Sequence, residues 1–154
     1  MAISNATMTV TITESVSLNG TNRGNSITKS ISNIHDVMER IITVSTNELL
    51  LYSTDATAVA GSTFDRDYVK YIRVTNKDAS DHVVLRIKNA DNDEFAYKLN
   101  AGESLLLWTH VASMNAVAAG TLDIGTGFHD ISSVKATAST GTCDVELMVA
   151  SVNA

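Results

Sequence analysis

From Tyr68 to Trp108 the chain alternates apolar and polar residues in short runs, and each lapse in the alternation is filled by turn-forming residues. Tyr71, Arg73 and Thr75 alternate with Ile72 and Val74; Val83, Leu85 and Ile87 with Val84, Arg86 and Lys88; Phe95, Tyr97 and Leu99 with Ala96 and Lys98. A period of two belongs to a strand with one buried face, because successive side chains point to opposite sides of the backbone. The breaks, NKDASD, NADNDE and NAGE, are rich in Asn, Asp and Gly, which cap their own backbone or tolerate positive φ. This stretch is expected to form four strands of one antiparallel meander, and it holds no catalytic signature.

The flanking sequence extends the same pattern. Met8, Val10 and Ile12 alternate with Thr7, Thr9, Thr11 and Thr13, which predicts a long, one-sided first strand over Thr7–Leu18. A turn or loop follows over Asn19–Ser26, then a short strand over Ser26–Ile31. Ile34–Val44 fits two patterns. As a helix it would pair Asp36 with Arg40 at i,i+4; as a strand it alternates through Met38, Arg40, Ile42 and Val44. Its β-branched finish favours a strand, entered through a short irregular or helical turn. Glu48–Ser53 then resembles the second strand of a hairpin. Thr54–Asp67 and Ala112–Asp130 lack a sustained period and read as long surface loops. Ile131–Ala138 and Cys143–Val152, joined by STGT, read as a closing hairpin whose last strand lies near a sheet centre. About nine or ten strands at this spacing predict a single all-β domain over residues 1–154, an antiparallel β-sandwich of jelly-roll-like form.

Only 18% of residues are charged, below the usual share of about 25%, and 18 Thr, 16 Ser and 12 Asn supply much of the remaining polarity. The net charge is −6 and the eleven Lys and Arg are scattered, whereas a phosphate backbone demands concentrated basic charge. No nucleic-acid partner is expected. No window has the 18 or so apolar residues of a membrane span, and the N-terminus lacks a basic segment leading into an apolar run. The chain is therefore expected to be made and folded in a cytoplasm. Proline is entirely absent, so no strand is chemically barred from pairing along its edge. Such edges are a liability unless neighbouring subunits cover them, and a homo-oligomer is the expectation that follows.

Catalytic and metal chemistry finds little purchase. Asp91, Asp93 and Glu94 form the one acidic cluster, with oxygens suited to calcium, but the same residues are what a tight turn between Ile87 and Phe95 would use. His35, His82, His110 and His129 fall one to a segment without zinc spacing. The pairs His35-Asp36, Asp81-His82 and His129-Asp130 are adjacent, which in a strand sends the two side chains to opposite faces. Cys143 is the sole cysteine and reads as a small buried strand residue. No enzyme activity, cofactor or resident metal is expected. Tyr68, Tyr71, Tyr97 and Trp108 could offer a stacking platform to a sugar ring. Phe64 and Phe128, in or beside the loops, and Thr7, Thr9 and Thr11 on the first strand are the candidates for contact with a partner.

The runs Ile72–Asn76 (IRVTN), Val83–Ile87 (VVLRI), Glu94–Leu99 (EFAYKL) and Leu99–Ser104 (LNAGES), with Ile131–Ala136 (ISSVKA) and Asp144–Ala150 (DVELMVA), resemble segments of small virion structural proteins of tailed, particularly marine, bacteriophages. The resemblance covers roughly residues 68–152 and carries no active site. It implies a β-sandwich or jelly-roll module that resides in the virion, assembled with copies of itself and with other particle proteins such as the major capsid protein. Capsid decoration is the first expectation, since the chain shows no coiled-coil heptads or fibre repeats. A tail or head-fibre component, or a carbohydrate-binding module for host recognition that uses Asp91, Asp93 and Trp108, are the alternatives.

Overall fold

The structure, a computed structural model, describes residues 5–55, 64–112 and 128–152. In chain order its strands are β1 (Ala6–Thr13), β2 (Ser17–Leu18), β3 (Thr21–Asn22), β4 (Ser26–Ser45), β5 (Leu49–Asp55), β6 (Phe64–Asp65), β7 (Val69–Asn76), β8 (Val83–Asn89), β9 (Glu94–Leu99), β10 (Ser104–Leu107), β11 (Val111–Ala112), β12 (His129–Ala138) and β13 (Thr142–Val152). A single 3-10 turn, Arg66–Tyr68, precedes β7. The fold is the expected all-β antiparallel sandwich, with nine strands of four or more residues among the described residues. Among the described residues no helix is long and apolar enough to cross a membrane.

Two sheets face one another. The first has the order β1-β4-β13-β7-β10 and the second β6-β5-β12-β8-β9, with β11 added to the start of β12. The core lies between them. From the first sheet come Val44, Ile72, Val74, Val145, Leu147 and Val149, and from the second Leu51, Val83, Leu85, Ile87, Leu99 and Val134, all buried. Along β13 the inward residues Cys143, Val145, Leu147 and Val149 alternate with Asp144, Glu146 and Met148. This is the predicted central strand.

The pairing of neighbours differs from the sequence expectation. The Tyr68–Trp108 strands are not one meander: β7 pairs with β10 in one sheet, and β8 with β9 in the other. The connections β4 to β5 and β12 to β13 are likewise not hairpins, since each passes from sheet to sheet. Alternation tells which face of a strand is buried, and two stacked strands satisfy that demand as well as two paired ones. Side chains close the corners. The amide group of Asn76, fully buried, donates to the carbonyls of Asp81 (2.8 Å) and Leu99 (3.2 Å) and accepts from the backbone NH of Asp78 (3.0 Å). Between β4 and β5 the Arg40 guanidinium donates to the Leu51 carbonyl, tying one sheet to the other.

β4 is a single strand of 20 residues where the sequence suggested a short strand followed by an ambiguous segment. Its apolar rhythm slips because the backbone is bulged. Asn33 adopts φ +60°, β1 shifts register between Ala6 and Met8, and β13 shifts between Ser151 and Val152. A bulge inserts a residue without ending the strand. No helical turn forms over residues 34–44. The expected loop over Thr54–Asp67 is also shorter at both ends, because Thr54 and Asp55 continue β5 while Phe64 and Asp65 pair in parallel beside them. Residues 56–63 of that loop, and 113–127 of the second, lie outside the described residues.

Candidate interaction surface

β4 leaves the sandwich halfway along its length. Its second half, from Ile34 to Ser45, pairs with β13, whereas its first half pairs with β1 on the opposite edge. Residues 6–34 therefore make a two-stranded arm whose paired strands run about 26 Å at the usual rise of about 3.3 Å per residue. Its tip turns at Asn19-Gly20, both at positive φ, with Leu18 opposite Thr21. That is the two-residue hairpin loop for which Asn-Gly is favoured.

The one-sidedness predicted for the first strand sorts the arm into two faces. Met8, Val10 and Ile12 lie opposite Ile31, Lys29 and Ile27, and on the reverse face Thr9, Thr11 and Thr13 lie opposite Ser30, Thr28 and Ser26. Hydroxyl pairs span the reverse face, Thr11 to Thr28 and Thr13 to Ser26, each at 3.2 Å. Thr9 and Thr11 thus stand on an exposed hydroxyl ladder, with Thr7, also exposed, at the bulge. The apolar face continues onto the sandwich. At its base Met8, Val10 and Ile31 pack with Ile34, Tyr71, Leu106, Met148, Ala150 and Val152, a second cluster on the outer side of the first sheet. Trp108 meets Tyr71 edge-on at 5.7 Å. Away from this base the face is bare, with Ile27 59%, Val37 47% and Ile41 62% exposed.

The same outer face carries a charged group that sequence reasoning did not find. Arg73 on β7 pairs with Glu146 on β13, and Lys77 approaches the second carboxylate oxygen at 3.4 Å. The hydrogen bond from Arg73 holds the Glu146 carboxyl below the usual glutamate range. Only the pairing register brings these residues together, with Glu146 opposite Thr75 and Met148 opposite Arg73.

Elsewhere the predicted residues take structural positions. Asp91 and Asp93 lie on the β8–β9 turn, where Asn89 accepts from the backbone NH of both, at 3.0 and 2.9 Å. Glu94 pairs with Arg86 at 3.3 Å. Arg86, Lys88, Asn92, Glu94, Ser133 and Lys135 line a shallow polar depression of about 320 Å³ on the second sheet. Glu48 bridges its cations, 2.7 Å from Arg86 and 3.0 Å from Lys135. Among the described residues no three His, Cys, Asp or Glu side chains gather to hold a metal ion.

The adjacent His-Asp pairs give way to pairs across the fold, His129 with Asp91 and His110 with Asp130, each at 3.6 Å. Burial holds the His110 imidazole below its ordinary pKa, with Lys70 acting in the same direction. Cys143 is fully buried opposite Val44, and burial raises its thiol pKa. An activated cysteine has the reverse properties, exposed and acidified. Phe64 packs inward on Tyr52 with ring centroids 5.9 Å apart, whereas Phe128 is exposed beside β12. The groups considered for a glycan are split between the sheets: Tyr71 lies on β7 of the first, with Trp108, just past β10, against it, whereas Tyr97 on β9 and the Asp91–Asp93 turn belong to the second. Comparison with known protein families and with curated proteins gives no match for this chain.

Proposed function

We propose that the chain is a non-enzymatic structural subunit of a tailed-bacteriophage particle, a capsid-decoration protein built on a jelly roll, that works by fitting its surface to its neighbours. The observation that carries this reading is the arm. A two-stranded ribbon is marginal on its own in water, and an apolar face left uncovered along such a ribbon is what a surface made for docking looks like. Supporting the jelly roll is the strand order: β4, β13, β7 and β10 in one sheet hand on to β5, β12, β8 and β9 in the other. Jelly rolls recur in viral capsid and lectin domains. Since one fold serves many functions, the resemblance of residues 68–152 to phage virion proteins weights the choice. Its partners would be copies of itself and the major capsid protein, with the chain made in the host cytoplasm and resident in the virion.

The test is copy number in purified particles, together with binding of the purified subunit to tailless capsids. Decoration requires a copy number matching the capsid lattice and saturable binding to capsids. Recovery with isolated tails or fibres would move the subunit there. Calcium-dependent retention on a glycan array, without capsid binding, would replace the reading with host recognition.

A further inference from the structure

We infer that a second copy of this chain covers the outer face of β4, docking face to face about a two-fold axis that passes beside Ile34. The register of β4 with its neighbours defines one continuous stripe on that face. Ile31 and Ile34 lie opposite Met8 and Ala6, two apart on β1, while Ile34 and Val37 lie opposite Val152 and Ala150, two apart on β13. All three therefore face the same way. With regular alternation beyond the bulges, the stripe reads Ile27, Lys29, Ile31, Ile34, Val37, Glu39, Ile41; Ile34 at its centre is already covered by its own chain and Ile31 is half-buried, so the open positions are Ile27 and Lys29 on one side and Val37, Glu39 and Ile41 on the other.

That stripe is self-complementary. Ile31 and Val37 each stand three residues from Ile34, Lys29 and Glu39 five, and Ile27 and Ile41 seven. The irregularities also fall on either side of Ile34, at Asn33 and between Asp36 and Ile34. A two-fold axis at the centre lays the stripe antiparallel on its copy. Ile27 then meets Ile41, Ile31 meets Val37, and Lys29 meets Glu39, twice over. In an isologous contact each residue and its mate exchange roles in this way. Lys29 and Glu39 are exposed and have no ionic partner among the described residues. Charges interrupting an exposed apolar stripe set register and reject wrong partners.

Edge pairing about the same point is blocked. β1 occupies one edge of β4 as far as Ile34, and β13 occupies the other from Ile34 onward. The face is what the two halves share. In the resulting dimer the arm of each copy lies over the sandwich of the other, and the bare residues Ile27, Val37 and Ile41 become mutually covered.

This contact needs no particle, so it can be tested on the purified full-length protein apart from the proposed function. Sedimentation velocity is expected to show a dimer. Lys29→Glu and Glu39→Lys should each weaken it at least about tenfold, by setting like charges together, and the double exchange should restore it. Circular dichroism confirms that each variant is folded. As a second measurement, oxidation of an equimolar mixture of Ile27→Cys and Ile41→Cys proteins should give a mixed disulfide-linked dimer, with little cross-linking of Ile27→Cys protein alone. A monomer at high micromolar concentration, a double exchange that fails to rescue folded singles, or preferential 27-to-27 cross-linking would overturn the inference. Dimerisation without capsid binding would leave it standing and remove the capsid role.

Discussion

The side-chain amide of Asn76, the last residue of β7, donates to the carbonyl of Leu99, the last residue of β9, and so ties the ends of strands in opposite sheets across 3.2 Å. Asn76 is wholly buried and makes two further side-chain bonds, to the Asp81 carbonyl and from the Asp78 amide. Asn76→Ala strands three backbone groups, buried at Leu99 and half-buried at Asp78 and Asp81. It should lower stability by about 2–4 kcal/mol, since each buried unsatisfied group costs about 1–3 kcal/mol before relaxation. Urea denaturation would show the midpoint falling with an unchanged slope. A loss below about 0.5 kcal/mol would mean that the corner holds without the amide.

Leu147 sits at the centre of β13, with Arg40 and Val74 as its neighbours in the first sheet, and is completely buried. Leu147→Ala should cost about 2–5 kcal/mol through lost transfer energy and an unfilled cavity. Exposed Leu50, outside the core, should lose less than about 1 kcal/mol on the same change. Thermal unfolding of the two variants measures the contrast directly.

Among the groups that couple stability to acid, His110 and Glu146 act in separate ranges. His110 has a folded pKa below its ordinary value of 6.5 because burial disfavours the imidazolium. The unfolded chain therefore takes up the proton first, and stability falls as the pH drops through 6.5. Glu146 is held below its ordinary 4.5 by Arg73, so its contribution is present above pH 4.5 and is lost as the pH falls through the lowered folded value. His110→Gln should flatten the upper part of the stability–pH curve and Glu146→Gln the lower part. Unaltered curves would show that neither group supplies the linkage.

Gly24 marks the neck of the arm tip. A Cβ built there would lie 2.1 Å from the Glu14 carbonyl oxygen, far inside contact distance. Gly24→Ala should therefore disturb residues 14–25 while leaving the sandwich intact. Amide hydrogen exchange is expected to speed up across the arm, with protection of β7, β8 and β13 unchanged. Uniform loss of protection would mean that arm and sandwich unfold as one unit.

The buried thiol offers a check on the core. Cys143 should react with a thiol reagent only as fast as the protein opens, and at the rate of a free thiol in denaturant. Rapid labelling of the native protein would place that end of β13 in solvent.

Much of the strand inventory was legible because alternation is local: a residue declares its face by comparison with residues one and two places away. Partner choice was hidden for the same reason. Nothing in Val69–Asn76 states that its mates are β10 and β13 rather than β8, since all present an apolar inner row. The turn role of Asn76 and Asn89 was apparent, but their burial at the corners was not; that depends on the other sheet closing over them. Lys29 and Glu39 were visible as residues, but their common face required the bulges at Asn33 and near Asp36 to be placed, and a bulge reads in sequence as the end of a strand. Arg73 and Glu146, 73 residues apart, met only through register.

β4 also has a mechanical consequence. Its first half forms the arm and its second half is held by eleven consecutive partners along β13. A load applied to the arm along its axis would reach the sandwich as shear across that ladder, in which many hydrogen bonds resist together instead of opening in turn. A subunit gripped by its arm would transmit tension straight into its most deeply buried strand, and would hold until the ladder gave way at once.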